Sequence, residues 1–310
     1  MNDLLHVYYD TRYAPVTYDF ATYLVTADAV RFYNKFKKIF IHIHSPDFRN
    51  LTEREIAYTN LEKKWRSNNI FKGVTSILPN IDGIEFSNLK PDNILSPYFP
   101  DTYPPKDNKT FGSIPYLYTA LSTFRNLDYD LKPYRADELS IYYVKNIFEN
   151  KIPDFTITLR SSNQQIARNS NLSIWYEIYI NLTNKGFRVV VIPDLEDITS
   201  NKIANKYDWD LFLPAVFDMQ IRMALYSITK NNFCVLNGVI VPLIHSPYPY
   251  TVFKPLVDGI NQTTEKWLFE VFGIKKNENF WWSSNNQNLL WLSDEEYNFK
   301  DKILNIALKC

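Results

Sequence analysis

A chain of 310 residues that is 45% hydrophobic is too long for one comfortable core and has ample apolar material for two domains of roughly 150 residues each. Its 34 basic residues balance 34 acidic ones, so no basic field argues for nucleic acid or an anionic membrane surface, and a small ligand is expected instead. The 7 glycines are scattered, which excludes the standard Gly-rich phosphate loops, and GxSxG, HExxH and CxxC are absent.

The two cysteines, Cys234 in an apolar run and Cys310 at the last position, have no pairing logic and suit a reducing compartment. The opening MNDLLHVYYD lacks a basic n-region, and no apolar run approaches the ~20 residues that span a bilayer, so a cytoplasmic location is expected. The 22 Tyr, 21 Phe and 7 Trp fill a core and could also stack on sugars or bases.

From the N-terminus, Leu4 to Tyr9 reads as a strand ending at Asp10, and Asp19 is placed to cap a helix through Phe20, Tyr23, Leu24, Ala27 and Val30. Ile39 to Ile43 is a second strand, after which Thr52 and Glu55 match a capping box for a helix reaching Trp65. Ile70 to Leu78 reads as a short helix, Gly83 to Phe86 as a short strand, Asp92 to Lys109 as a Pro-rich connection, and Pro115 to Phe124 as helical. Ala136 to Phe148 forms a helix, and Lys151-Ile152-Pro153 places the domain boundary between residues 150 and 151.

The second half opens on strand, loop, helix and strand: Phe155 to Leu159, a polar loop from Arg160, a helical pattern through Leu172, Trp175, Ile178, Tyr179 and Leu182, and Phe187 to Ile192. A parallel unit of this kind binds ligands beyond the carboxyl ends of its strands, where Arg160 and Asp194 stand. An acidic loop then runs to Asp210, a helical stretch from Ala215 to Lys230, and a strand from Phe233 to Leu236 ended by Asn237-Gly238. Tyr250 to Phe253 is a further strand, with helices from Thr263 to Phe272 and from Asp294 to Leu308.

Several residues could carry chemistry. Arg160, a charge at the end of a buried strand, either pairs with a neighbouring acid such as Asp194 or meets an anionic ligand through its planar fork. Arg168 with Asn169 offers a second anion contact or belongs to a solvated loop, and Asn169, Ser170 and Asn171 can each cap the helix. Asp194 and Glu196 could accept from ribose or sugar hydroxyls, and Asn237-Gly238 could present backbone N–H groups to phosphate or form a plain turn. Among Asp10, Asp19 and Asp47, Asp10 has no capping duty and is the preferred base for an acceptor hydroxyl. His42 and His44 alternate onto one face near His6, but no third ligand has metal spacing, so no metal is expected.

The run TITLR, ARNSN, a Trp-bearing helix, GFRVVVIPD, RMALY and Val-Leu-Asn-Gly resembles the donor half of GT-B glycosyltransferase-like proteins of bacterial surface-polysaccharide synthesis, and distantly the fucosyltransferase and O-fucosyltransferase superfamily. YYDTRYAPVTYDF and KIFIHIH resemble the opening of such proteins. Arg160 is followed by Ser161-Ser162 rather than a second basic residue, a departure that leaves the nucleotide open. The resemblance implies two Rossmann-like α/β domains facing a central cleft, an acceptor side in 1–150 and a donor side in 151–310 with a helical tail. It implies Arg160 on the donor diphosphate, Arg168 and Asn169 assisting, Asp194 at the nucleoside or sugar and Asn237-Gly238 at the next phosphate-facing loop. The expected activity is metal-independent sugar transfer from a nucleotide-sugar, itself a substrate and not a cofactor, to a glycan or glycolipid, with peripheral membrane association permitted. A nucleotide-sugar epimerase or hydrolase, or a non-catalytic sugar- or nucleotide-binding protein, are the alternatives.

Overall fold

The computed structural model describes residues 3–45, 47–48, 50, 53–88, 94–104, 121–125, 127–200 and 206–310. Chain contacts separate two units, Met1–Tyr134 and Arg135–Cys310.

In the first unit, strands β1 (Leu4–Asp10), β2 (Lys38–His44), β3 (Ile81–Ser87) and β4 (Tyr98–Phe99) form a parallel sheet in the order β3-β2-β1-β4, with helix α1 (Asp19–Tyr33) between β1 and β2. Alternation along β1 sends Leu5, Val7 and Tyr9 into the core, and Tyr9 meets Phe20, Tyr23 and Phe71 edge-on. The opposite face carries His6, Tyr8, Phe40 and His42, with Tyr8 stacked on His42 and on Tyr103.

Asp19 is not the cap of α1. It occupies the first turn, where Tyr18 is the capping residue without a side-chain bond and Thr17 Oγ1 donates to the Asp19 carboxylate at 2.8 Å. Thr52 and residues 115–120 lie outside the described residues. The capping box that is seen joins Thr59 and Glu62 at the start of the helix Asn60–Arg66, which continues through Ser67–Phe71 into Lys72–Ser76, so the short helix read from Ile70 is the end of a longer run. Strand β4 was not expected, since Pro97 and Pro100 bracket it in a stretch that reads as a connection; it pairs with β1 through His6 and Val7.

The second unit begins with helix α2 (Glu138–Ile147), capped by Asp137, whose carboxylate accepts from the Ser140 N–H at 2.6 Å. The 150/151 boundary read from Pro153 would put this helix in the N-terminal half, whereas it packs on the helix Met219–Ile228 within the second unit. After it come β5 (Phe155–Thr158), α3 (Leu172–Asn184), β6 (Val189–Ile192), α4 (Met219–Ile228), β7 (Asn231–Val235), β8 (Tyr250–Phe253), β9 (Gln287–Leu289) and α5 (Phe299–Ala307). The sheet is parallel throughout and ordered β6-β5-β7-β8-β9. Because the chain starts at β5, lays β6 on one side and β7 on the other, the order reverses between β5 and β7. That reversal is the point at which open α/β sheets leave a crevice for ligands.

One face is an apolar cluster in which Phe155, Ile157, Val191 and Phe233 lie with Trp175, Ile178 and Leu182 of α3 and with Phe299 and Ile303 of α5. The other face is polar at its centre: Thr156 Oγ1 donates to Asn232 Oδ1 at 2.7 Å, and Asn232 Nδ2 reaches the Tyr226 carbonyl of α4 at 3.0 Å. The helical stretch expected from Ala215 to Lys230 is two helices, Pro214–Phe217 and α4, because Asp218 leaves the helical path and caps α4 through Ile221 N–H. The loop after Asp194 contains a helix, Leu195–Ser200, and the last helix starts at Phe299 and not at Asp294. Among the described residues no helix is long and apolar enough to cross a membrane.

Candidate functional site

Beyond β5 the chain leaves the sheet at Arg160 and returns at Ser170. The excursion is closed at its neck, where Arg160 N–H donates to Ser170 Oγ and Ser170 N–H to the Arg160 carbonyl, both at 2.9 Å. Of the three capping candidates, Asn171 is the one used, its side chain accepting from Ile174 N–H. The Arg160 guanidinium is buried within its own loop: Nη2 donates to the Gln164 carbonyl at 2.9 Å, and Nη1 to the Gln165 carbonyl at 3.3 Å and to Asn169 Oδ1. Asn169 completes the ring by bonding the N–H and the carbonyl of Ser162.

The acids named from the sequence hold the same loop from the β6 side. Asp194 Oδ2 accepts from Ser161 N–H at 3.1 Å, and Glu196 accepts from Asn163 N–H at 2.6 Å and Ser162 Oγ at 3.3 Å. Burial raises the Asp194 carboxyl above its ordinary value, with the Ser161 N–H opposing the rise. The anticipated choice for Arg160, an ion pair with Asp194 or a bound anion, thus has a third component, carbonyl and amide oxygens that accept from the fork, and its charge also acts to lower the Asp194 carboxyl.

Arg168 crosses the reversal point. Its Nη1 bonds Gln165 Oε1 at 2.8 Å, and its Nη2 reaches the Leu236 carbonyl beyond β7 at 3.2 Å. Asn237 follows, 7% exposed, and its side chain does not cap the short helix Gly238–Ile240. Its Oδ1 is buried without a hydrogen-bond partner among the described residues. Such an acceptor costs about 1–3 kcal/mol until a donor reaches it, and a ligand O–H or N–H would suit.

The sequence did not point to Lys254 and Asp294. Lys254 ends β8 in a left-handed conformation, φ 57°, with its Nζ on Asp294 Oδ1 at 2.8 Å and on the Asn169 carbonyl at 2.9 Å. Asp294 Oδ2 accepts from Asn171 N–H at 2.7 Å and Trp175 Nε1 at 3.1 Å. One buried pair therefore ties β8, the arginine loop and the start of α3 together. Gln165 is also left-handed, φ 52°, so the edge of this sheet holds two non-glycine residues in a costly backbone region, as ligand sites often do.

At the edge of the first sheet, Asp10 proves to have a structural duty. Its buried carboxylate takes Arg12 Nη2 at 2.6 Å and Nε at 3.0 Å, and caps the turn by accepting Arg12 N–H at 3.0 Å. Thr11 links this turn to the end of β2 through the carbonyls of His44 and Asp47. His42 pairs with His6: His6 Nδ1 and His42 Nε2 are 2.9 Å apart, and His42 Nδ1 lies 2.5 Å from Glu85 Oε1. Burial lowers the basicity of His6. Among the described residues no group of three or more His, Cys, Asp or Glu side chains is placed to hold a metal ion.

Two solved structures follow this course of chain over nearly its whole length. A glycosyl transferase family 9 protein from Veillonella parvula DSM 2008 matches with a TM-score of 0.50 and 9% identity, covering 98% of this chain and 91% of that one. The E. coli ADP-heptose lps heptosyltransferase II matches with a TM-score of 0.50 and 9% identity, covering 99% and 98%. The fold is GT-B-like. Neither of these structures is a fucosyltransferase, and at this identity the likeness concerns the fold alone. No protein-family model matches the chain, and no curated protein matches it in sequence.

Proposed function

We propose that this protein is a glycosyltransferase that moves a sugar from a nucleotide-sugar to a glycan or glycolipid acceptor in surface-polysaccharide synthesis. The observation that carries the reading is the reversal point of the second sheet, where Arg168 joins the arginine loop to Leu236, next to Asn237, whose Oδ1 has no partner among the described residues, in a GT-B-like fold. The donor half binds the nucleotide-sugar there. Arg160, Asn169, Asp194 and Glu196 act by holding the loop in the shape that receives it, and Asn237 accepts from a donor hydroxyl or base N–H.

The leaving diphosphate is met by protein cations, as in the GT-B sites the sequence resembles, so transfer proceeds without a metal and survives a chelator. Asp10 serves as base only in exchange: an acceptor hydroxyl has to displace Arg12 from its carboxylate first. A glycolipid acceptor brings the protein to a membrane surface without an inserted helix.

The test is thermal stabilisation across ADP-, GDP-, UDP- and CMP-sugars, an ADP-linked heptose among them, followed by mass spectrometry for released nucleotide with acceptor extracts. Stabilisation by one donor class with nucleotide release is expected. Absence of binding to every donor overturns the reading. Arg160→Ala should fold yet lose donor affinity, and unchanged affinity in that variant removes Arg160 from the site.

A further inference from the structure

Arg222 lies on α4, on the face of the second sheet opposite the apolar cluster, and is 3% exposed. Its Nε donates to the Ala215 carbonyl at 2.7 Å and its Nη1 to the Tyr226 hydroxyl at 3.3 Å. Both partners are neutral. No carboxylate lies in ion-pair range of Arg222, and its Nη2 donates to nothing, among the described residues. A buried guanidinium without a counter-charge is a costly feature that its two hydrogen bonds offset in part, and an anion arriving from outside would remove the rest.

Its location says which anion. Tyr226 Oη lies 2.8 Å from Thr158 Oγ1, the last residue of β5, and Arg222 stands one helical turn earlier on the same hydroxyl. The charge of Arg222 is also felt at Cys234 of β7, the register partner of Thr158, where it opposes the rise that burial imposes on the thiol. Because α4 enters β7 directly through Thr229 and Lys230, it runs antiparallel to the sheet, and its first turns lie at the carboxyl edge. Arg222 is therefore beside the β5/β7 reversal, approached from the face opposite α3 and the arginine loop.

We infer that Arg222 is the guanidinium that binds the diphosphate of the donor, contacting its oxygens through the N–H groups of Nη2, while Arg160 and Arg168 shape the loop. The assignment rests on the glycosyltransferase reading for the identity of the ligand, but the anion site stands on the uncompensated charge alone. Tyr226 and the Ala215 carbonyl fix the plane of the fork before the ligand arrives, so little side-chain freedom is lost on binding.

Inorganic pyrophosphate, the part common to all diphosphate donors, is the probe, titrated calorimetrically and followed by the midpoint of thermal unfolding. The wild-type protein should bind it. Arg222→Gln should weaken binding at least about ten-fold, on the scale of a lost charge-assisted contact. Arg188→Gln, which removes an arginine held at the opposite end of β5 by the Lys151 carbonyl, should leave it unchanged. Circular dichroism checks the fold of each variant; should Arg222→Gln not fold, Arg222→Lys, which keeps the charge and loses the fork, should still bind about three-fold or more weakly. No binding by the wild type, or equal affinity in the Arg222 variant that folds, overturns the inference. Pyrophosphate bound through Arg222 with no nucleotide-sugar bound would overturn the glycosyltransferase reading and leave the anion site standing. Nucleotide-sugar bound equally well without Arg222 would do the reverse.

Discussion

At the carboxyl edge of the first sheet Asp10 is closed by an arginine's side chain, and at that of the second the arginines bond carbonyl, amide and hydroxyl oxygens. Asp10 is fully buried and is closed by Arg12 through two side-chain bonds. Arg160 donates to two carbonyls and an amide oxygen, Arg168 to an amide oxygen and a carbonyl, and Arg222 to a carbonyl and a phenol. A bidentate ion pair cancels its own field. A guanidinium that rests on carbonyl and hydroxyl oxygens, as Arg222 does, is fixed in place by neutral partners, the kind of preorganisation that the proposed diphosphate site calls for. A balanced total of 34 basic and 34 acidic residues can therefore conceal two edges whose charges are held in different ways.

The largest effect should come from the buried charge pair at the second edge. Asp294→Ala leaves Lys254, whose side chain is 4% exposed, with the Asn169 carbonyl and the more distant, exposed Glu295 carboxylate at 3.6 Å, and frees Asn171 N–H and Trp175 Nε1 together. Breaking a buried pair of this kind costs about 3–5 kcal/mol, read from urea unfolding. A loss under about 1 kcal/mol would mean the latch does not hold the loop. Next comes Arg12→Met, which leaves Asp10 buried and unpaired. Arg12 is 35% exposed, so water screens part of the cost and about 2 kcal/mol is expected. Adding Asp10→Asn should recover most of it. If the double variant is no better than Arg12→Met, the charge is not what the pair supplies.

How far the sequence carried these edges depends on range. The strand ends at Asp10 and Asp194 were legible from the apolar runs before them, and with them the carboxyl edge of each sheet, because a parallel βαβ unit leaves little choice. The partners of those residues were not. Arg160's ligands are Gln164, Gln165 and Asn169, close in sequence, yet no pattern tells a solvated loop from one that folds back on a guanidinium. Lys254 and Asp294 belong to no motif and meet only because the end of β8 and the segment before α5 converge on the start of α3. Strand β4 escaped because two residues between prolines carry no period. Arg222 reads as one charge on an amphipathic helix; its burial follows from α2 packing over α4, which nothing local signals.

Smaller effects follow the pH. Burial raises the Asp194 carboxyl above 3.8, so the unfolded chain ionises first as pH rises. The stabilisation from this group is complete below that value and is lost as pH rises through the folded value. Asp194→Asn, which keeps an acceptor for Ser161 N–H, should flatten that part of the stability profile and leave the protein at least as stable at pH 7. A variant that is markedly less stable at pH 7 would show that ionised Asp194 is needed to hold the loop.

The smallest effect belongs to the first sheet's imidazole pair. His6 is lowered below 6.5, chiefly by burial and then by His42, with Glu85 acting in the opposite sense. For a base the sign reverses: below pH 6.5 the unfolded chain takes up its proton first, so the stability tied to His6 is present above that value and declines as pH falls. Glu85→Gln removes the one influence that raises His6 while leaving an oxygen for His42 Nδ1, so His6 should titrate lower still and the acid side of the stability profile should steepen slightly. Imidazole resonances followed by NMR against pH decide it. Titration of His6 at or above 6.5 in the wild type, or an upward shift in the variant, would show that the pair is tuned by protons from elsewhere and not by burial under the Tyr8 and Phe40 face.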